Sequence, residues 1–182
     1  MKRAKTVKTK RAKPIKRAAK RKGADIQWVK RRRIPSVSIL IADAEKSSRA
    51  AAMRAIQPLR GMRVVGEART GLEAVTLTGR LKPRVVLLDL SLSSEFGASL
   101  ISVLRRKSSR TRVILMVGRA SEARIIEALS HGAVGCVAKK DLSRFLPEAL
   151  EAVAAGEAWM SRKLIPKIMD QLAAFMGSKP KR

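Results

Sequence analysis

Cysteine is nearly absent from this chain of 182 residues: Cys136 stands alone, so no internal disulfide can form and no cysteine cluster can hold zinc. His131 is the single histidine, and tyrosine is missing. His131 sits in the turn SHGAVG, where a surface or capping role fits better than catalysis, and Cys136 lies in an apolar run as a small hydrophobe. No apolar stretch nears the ~18 residues of a membrane helix, so no membrane span is expected. There is no Gly-rich phosphate loop, no Ser/His/Asp set and no cofactor fingerprint, so turnover of a small molecule is not expected either.

Acids are the next scarcity. Fourteen Asp and Glu face 41 Lys and Arg, for a formal charge of +27, and the excess is uneven. Residues 1–33 carry 16 cations and one acid, Asp25. With no sustained apolar period, and with like charges at short spacing, residues 1–35 are expected to form a disordered polybasic tail. No apolar core follows its basic start, which argues against a secretory signal, and its Lys-rich, Ser-poor composition fits an organellar leader poorly. Lys16, Arg17, Lys20, Arg21, Lys22, Arg31, Arg32 and Arg33 are its candidate contacts to DNA or RNA phosphates, bound by counterion release without base specificity. Anionic lipid is the rival partner, and an inert extension the plain alternative.

From Ser36 the pattern changes to short apolar runs alternating with amphipathic stretches. Strands are expected at 37–42 (VSILIA), 63–68, 84–88 (RVVLL), 112–117 (RVILMV) and 134–138 (VGCVA). Helices are expected at 46–59, 71–81, 98–106, 121–130 and 142–155, with Ser121 as an N-cap and Lys82-Pro83 and Gly156 as stops. Strands apolar throughout and alternating with helices call for a parallel sheet covered on both faces. Ligands of such sheets sit beyond the carboxyl ends of the strands, where Asp43, Asp89 and Lys139 fall. Two carboxylates and an ammonium converging there suit phosphoryl transfer: a nucleophile, a metal-holding acid and a cation for the phosphoryl group.

The segments VSILIAD (37–43), RVVGEARTGLEAV (63–75), KPRVVLLDL (82–90), RVILMV (112–117), EALSHGAVGCVAKKDLS (127–143) and AVAAGEAWMS (152–161) resemble bacterial two-component response regulator receivers of the LuxR/NarL type. The resemblance implies a flavodoxin-like (CheY-like) doubly wound α/β fold with five parallel strands in the order 2-1-3-4-5. It implies Asp89 as phospho-acceptor, Asp43 as a carboxylate positioning Mg²⁺, and the Ser91 backbone carbonyl as a further metal ligand. Lys139, rather than Lys140, takes the phosphoryl-contacting place. The implied partner is a sensor histidine kinase or phosphotransfer protein, and the implied location a bacterial cytoplasm, with nucleoid association through the tail.

Five positions depart from the receiver pattern. Ala44 replaces the second acid of the metal pair, and Glu45 beside it is the substitute candidate on a longer side chain. Val117 replaces the switch Ser or Thr, Cys136 the aromatic that moves with it, and Leu92-Ser93 the usual Met-Pro. The first loss weakens Mg²⁺ binding and phosphorylation; the second uncouples phosphorylation from shape change. The receiver is expected over 36–158, a C-terminal helical extension over 159–176 and a basic end over 177–182. No helix-turn-helix is expected in the stretch that follows. Leu164, Ile165, Ile168, Met169 and Leu172 fall at helical spacing, for packing back on the domain or for a homodimer seam. Two functions remain in view: a stand-alone, atypical phosphorelay receiver, and a phosphorylation-independent pseudo-receiver that docks a protein while its tail holds nucleic acid.

Overall fold

The structure, a computed structural model, describes residues 36–94 and 99–160 together with the helical residues 165–166 and 168–170. The polybasic segment 1–35, including every tail cation named above, lies outside the described residues, as do Leu164 and Leu172. Five strands, β1 (Val37–Ala42), β2 (Met62–Ala68), β3 (Val85–Asp89), β4 (Arg112–Val117) and β5 (Ala133–Ala138), form one parallel sheet in the order β2-β1-β3-β4-β5. Between and after them run α1 (Lys46–Ile56), α2 (Gly71–Leu81), α3 (Ser99–Lys107), α4 (Glu122–Ser130) and α5 (Leu142–Ala155).

Alternation along each strand divides the core in two. Leu40, Val86, Leu88, Val113, Leu115 and Val117 point to the face covered by α2, α3 and α4, where they meet Ala74, Leu100, Leu104 and Ile125. Ile39, Ile41, Val85, Leu87, Ile114 and Met116 point to the other, against Ala52 and Ile56 of α1 and Leu146 and Leu150 of α5. Both faces are buried, which is why these strands are apolar throughout rather than alternating.

The ends of the elements follow local chemistry. Thr70 caps α2 by accepting from the Glu73 N–H, and Ser121 caps α4 by accepting from the Arg124 N–H. Lys82 closes α2 in the left-handed region (φ 45°), and Pro83 cannot continue it. The expected first helix is shorter than its apolar pattern: α1 ends at Ile56, and residues 57–59 turn toward β2 ahead of and around Pro58. Asp89 is the last residue of β3 rather than the first beyond it, followed by a 3-10 turn at Leu90–Ser94. A second such turn, Lys139–Asp141, leads from β5 into α5.

The segment after α5 returns to the sheet edge. Trp159 donates its N–H to the Val134 carbonyl and accepts from the Cys136 N–H, both at 3.0 Å, and its ring lies 5.7 Å from that of Phe145. A Cβ on Gly135 would meet the Trp159 carbonyl at 3.0 Å, so only glycine admits this approach without a shift. The edge of β5 is thereby covered over its middle. Further on, Ile168 packs against the core face shared by α2, α3 and α4.

Candidate functional site

Parallel strands deliver their carboxyl ends to one rim, and there Asp43 (just past β1), Asp89 (the end of β3) and Lys139 (just past β5) meet. Lys139 Nζ stands 2.8 Å from Asp43 Oδ2 and 2.9 Å from Asp89 Oδ2. Asp43 is fully buried and Asp89 nearly so. Burial disfavours the lysine's charge, but hydrogen bonding and Coulombic attraction to Asp43 and Asp89 outweigh it, and the ammonium titrates above its ordinary value. Lys140, the neighbouring lysine, is exposed and outside the cluster.

Each acid is oriented by the turn that follows it. Asp43 Oδ1 accepts from the Glu45 N–H at 2.8 Å, while Asp89 accepts from both the backbone N–H (3.1 Å) and the hydroxyl of Ser91. Glu45 reaches the edge of the site: its Oε2 is 3.9 Å from Lys139 Nζ, its other oxygen accepts from the Ser47 hydroxyl, and its side chain is largely solvent-exposed. Ala44 is exposed and contributes only its carbonyl, to Arg49.

Arg49 is a residue that motif reasoning missed. Only 5% exposed, it donates to the carbonyls of Asp43 (2.9 Å) and Ala44 (3.2 Å) and pairs through Nε with Glu67 at 2.8 Å. Its signal in the sequence is a charge on the same helical face as the buried Ala52 and Ile56. It clamps the β1–α1 turn from below. Arg119 and Arg124 were missed too. With Glu45, Asp89, Ser91 and Lys139 they line an open cavity of about 250 Å³, and Arg124 Nη2 lies 3.4 Å from the Leu90 carbonyl.

Val117 ends β4 inside the core, packed with Val113, Leu115 and Cys136 rather than presenting a polar group to the cavity. Cys136 is buried, and burial pushes its thiol up to about 11, so it stays protonated at neutral pH.

Residues 39–151 match the response regulator receiver domain family. The chain belongs to this family. The receiver is similar to the nitrate/nitrite response regulator protein NarL of Escherichia coli (strain K12), with 31% identity over 137 residues covering 75% of this chain and 63% of NarL. It is also similar to the transcriptional regulatory protein LiaR of Bacillus subtilis (strain 168), at 23% identity covering 75% of this chain and 64% of LiaR. The chain thus spans less than two thirds of the length of these curated relatives. Among solved structures, a LuxR-family two-component response regulator from Aurantimonas sp. SI85-9A1 superposes with a TM-score of 0.65 at 27% identity, covering 75% of this chain and 97% of that one. The response regulator domain of Thermotoga maritima CheB gives 0.57 at 31% identity, covering 65% and 94%.

Receivers of two-component signalling typically bind Mg²⁺ at the acidic site and engage histidine kinases or phosphotransfer proteins. The residues of this receiver fit such an ion in kind: Asp43 and Asp89 offer hard carboxylate oxygens, and the buried Oδ2 of Asp43 has no partner besides Lys139. The set is short by one ligand. Ala44 supplies no side-chain oxygen, and among the described residues no three of His, Cys, Asp and Glu are grouped to hold a metal.

Proposed function

We propose that this receiver accepts a phosphoryl group on Asp89 from a phosphohistidine of a sensor kinase or phosphotransfer protein and acts as a switch rather than as an enzyme with turnover. The observation that carries the reading is the Lys139 ammonium held between two buried carboxylates at the mouth of a cavity lined by Asp89. A carboxylate oxygen of Asp89 attacks phosphorus, the P–N bond breaks, and the departing imidazole nitrogen keeps the electron pair, leaving an acyl phosphate on Asp89. Asp43, Asp89 and the Ser91 carbonyl would hold Mg²⁺, which neutralises phosphoryl oxygens when bound. Lys139 exchanges its contact with Asp89 Oδ2 for one with a phosphoryl oxygen and so keeps its charge paired. With Val117 unable to hydrogen-bond the product, Arg119 and Arg124 are the donors on the β4–α4 side of the cavity.

The weakened metal set and the apolar switch position favour a second reading, in which the scaffold docks a protein without phosphorylation. In either reading the cations of residues 1–33 lend the chain a sequence-independent attraction to nucleic acid. One titration separates the two. Beryllofluoride with Mg²⁺ added to isotope-labelled protein shifts the amides around Asp43, Asp89 and Lys139 if Asp89 is a working acceptor, and Asp89→Ala abolishes the shifts. Unchanged spectra at millimolar Mg²⁺ leave the docking reading standing.

A further inference from the structure

At the opposite rim, where β3, β4 and β5 begin, a second cleft of about 350 Å³ is lined by Arg84, Arg105, Arg110 and Arg112 with Ser109, Thr111, Gly132 and Val134. Four arginines line it, and among the described residues no Asp or Glu does. Among the described residues none of the four joins an ion pair, in contrast to Arg49 and Lys139. The negative end of the α3 dipole accounts for a cation such as Arg105 in the last turn of that helix. It does not account for Arg84 ahead of β3, Arg110 in the α3–β4 turn or Arg112 at the start of β4.

The cleft is built rather than incidental. The Thr111 hydroxyl donates to the Pro83 carbonyl at 2.6 Å and the Arg112 N–H to the Arg84 carbonyl at 3.0 Å, which locks its two floor segments together. Arg112 Nη1 is anchored on the Gly156 carbonyl at 3.2 Å. Arg105 lies across the α4–β5 turn at Gly132: a Cβ there would stand 2.0 Å from its Nη1, and the φ of +98° is itself a glycine conformation.

We propose that this cleft binds the phosphate backbone of nucleic acid without reading sequence. Planar, permanently charged guanidinium groups match phosphate oxygens in pairs, and a duplex offers a line of such groups, about one charge per 1.7 Å of axis. Among the described residues no aromatic ring lines the cleft for a base to stack on, which makes the backbone rather than the base the ligand. A lipid surface suits it less. Among the described residues the concavity holds one apolar side chain, Val134, and the exposed large apolar residues, Leu72, Leu81, Ile165 and Met169, lie outside it. This site is separate from the acceptor rim and does not rest on phosphorylation.

The test uses the full chain and a fluorescein-labelled duplex of arbitrary sequence, followed by anisotropy between about 50 and 200 mM salt. Arg105→Gln/Arg110→Gln is compared with Arg54→Gln/Arg80→Gln, which removes the same charge from exposed positions of α1 and α2. The first double substitution is expected to weaken binding about tenfold and to lower the slope of log Kd against log salt by about 2. The second is expected to leave the slope nearly unchanged, and Arg105→Lys/Arg110→Lys to retain most of the slope. Residues 1–33 are common to all variants, so the difference between the doubles reports the cleft alone, and thermal melts confirm that each variant is folded. Equal losses in the two Gln doubles would mean diffuse charge and overturn the proposal. So would unchanged DNA binding accompanied by lost binding to phosphatidylserine vesicles, which would assign the cleft to lipid.

Discussion

The two rims of one sheet treat charge in opposite ways. At the carboxyl rim, Asp43 and Asp89 are buried and share a single ammonium, so the buried acids have an internal partner while Arg119 and Arg124 stand exposed beside them. At the amino rim, Arg84, Arg105 and Arg110 are exposed, with no carboxylate among the described lining residues. A buried cluster of paired charges contributes to folding and admits a ligand only by giving up an internal contact. An unpaired one contributes little to folding and leaves its charge for an external anion. The same +27 chain therefore has one rim whose disturbance is read in stability and one whose disturbance is read in binding.

The largest test of that contrast is Lys139→Met. It leaves two buried carboxylates without a cation and is expected to cost about 3 kcal/mol in urea unfolding. Asp89→Asn in the same background recovers part of that loss by removing one of the stranded charges. A variant as stable as the parent would break the comparison at its root.

Arg49→Ala comes next, at about 2 kcal/mol, because the carbonyls of Asp43 and Ala44 lose their guanidinium donor and Glu67 its partner. Smaller still is the alkaline limb of stability. Lys139 titrates above its unfolded value, so its contribution is complete below about 10.5 and is lost as pH rises through the folded value. The Cys136 thiol, raised from 9.0 to about 11, has the same sign: over that interval the unfolded chain ionises and the native one does not. As far as these two groups are concerned, stability is level from pH 6 to about 9 and then declines by about 1 kcal/mol per pH unit at first. Cys136→Ala removes the earlier part of the decline, as melts in alkaline buffers would show, and a decline beginning at neutral pH would contradict both assignments.

The smallest effect sharpens the contrast from the other side. Arg105→Gln/Arg110→Gln is expected to move stability by no more than about 0.5 kcal/mol. A loss of several kcal/mol would mean that those guanidinium groups hold the fold together after all.

Much of this architecture is written in local pattern. The continuous apolar runs at 37–42, 84–88 and 112–117, the Thr70 and Ser121 caps and the Lys82-Pro83 stop are properties of neighbouring residues, and backbone preference and burial act at that range. The convergence of Asp43, Asp89 and Lys139 was also legible, because a parallel sheet sends every strand's carboxyl end to one side. Tertiary structure alone decided that Arg49 turns inward, that Trp159 closes the β5 edge, and that Arg84, Arg105, Arg110 and Arg112 share a cleft. Their meeting depends on strand register and on the short turns between elements, and a shift of one residue in either would send these side chains to the opposite face.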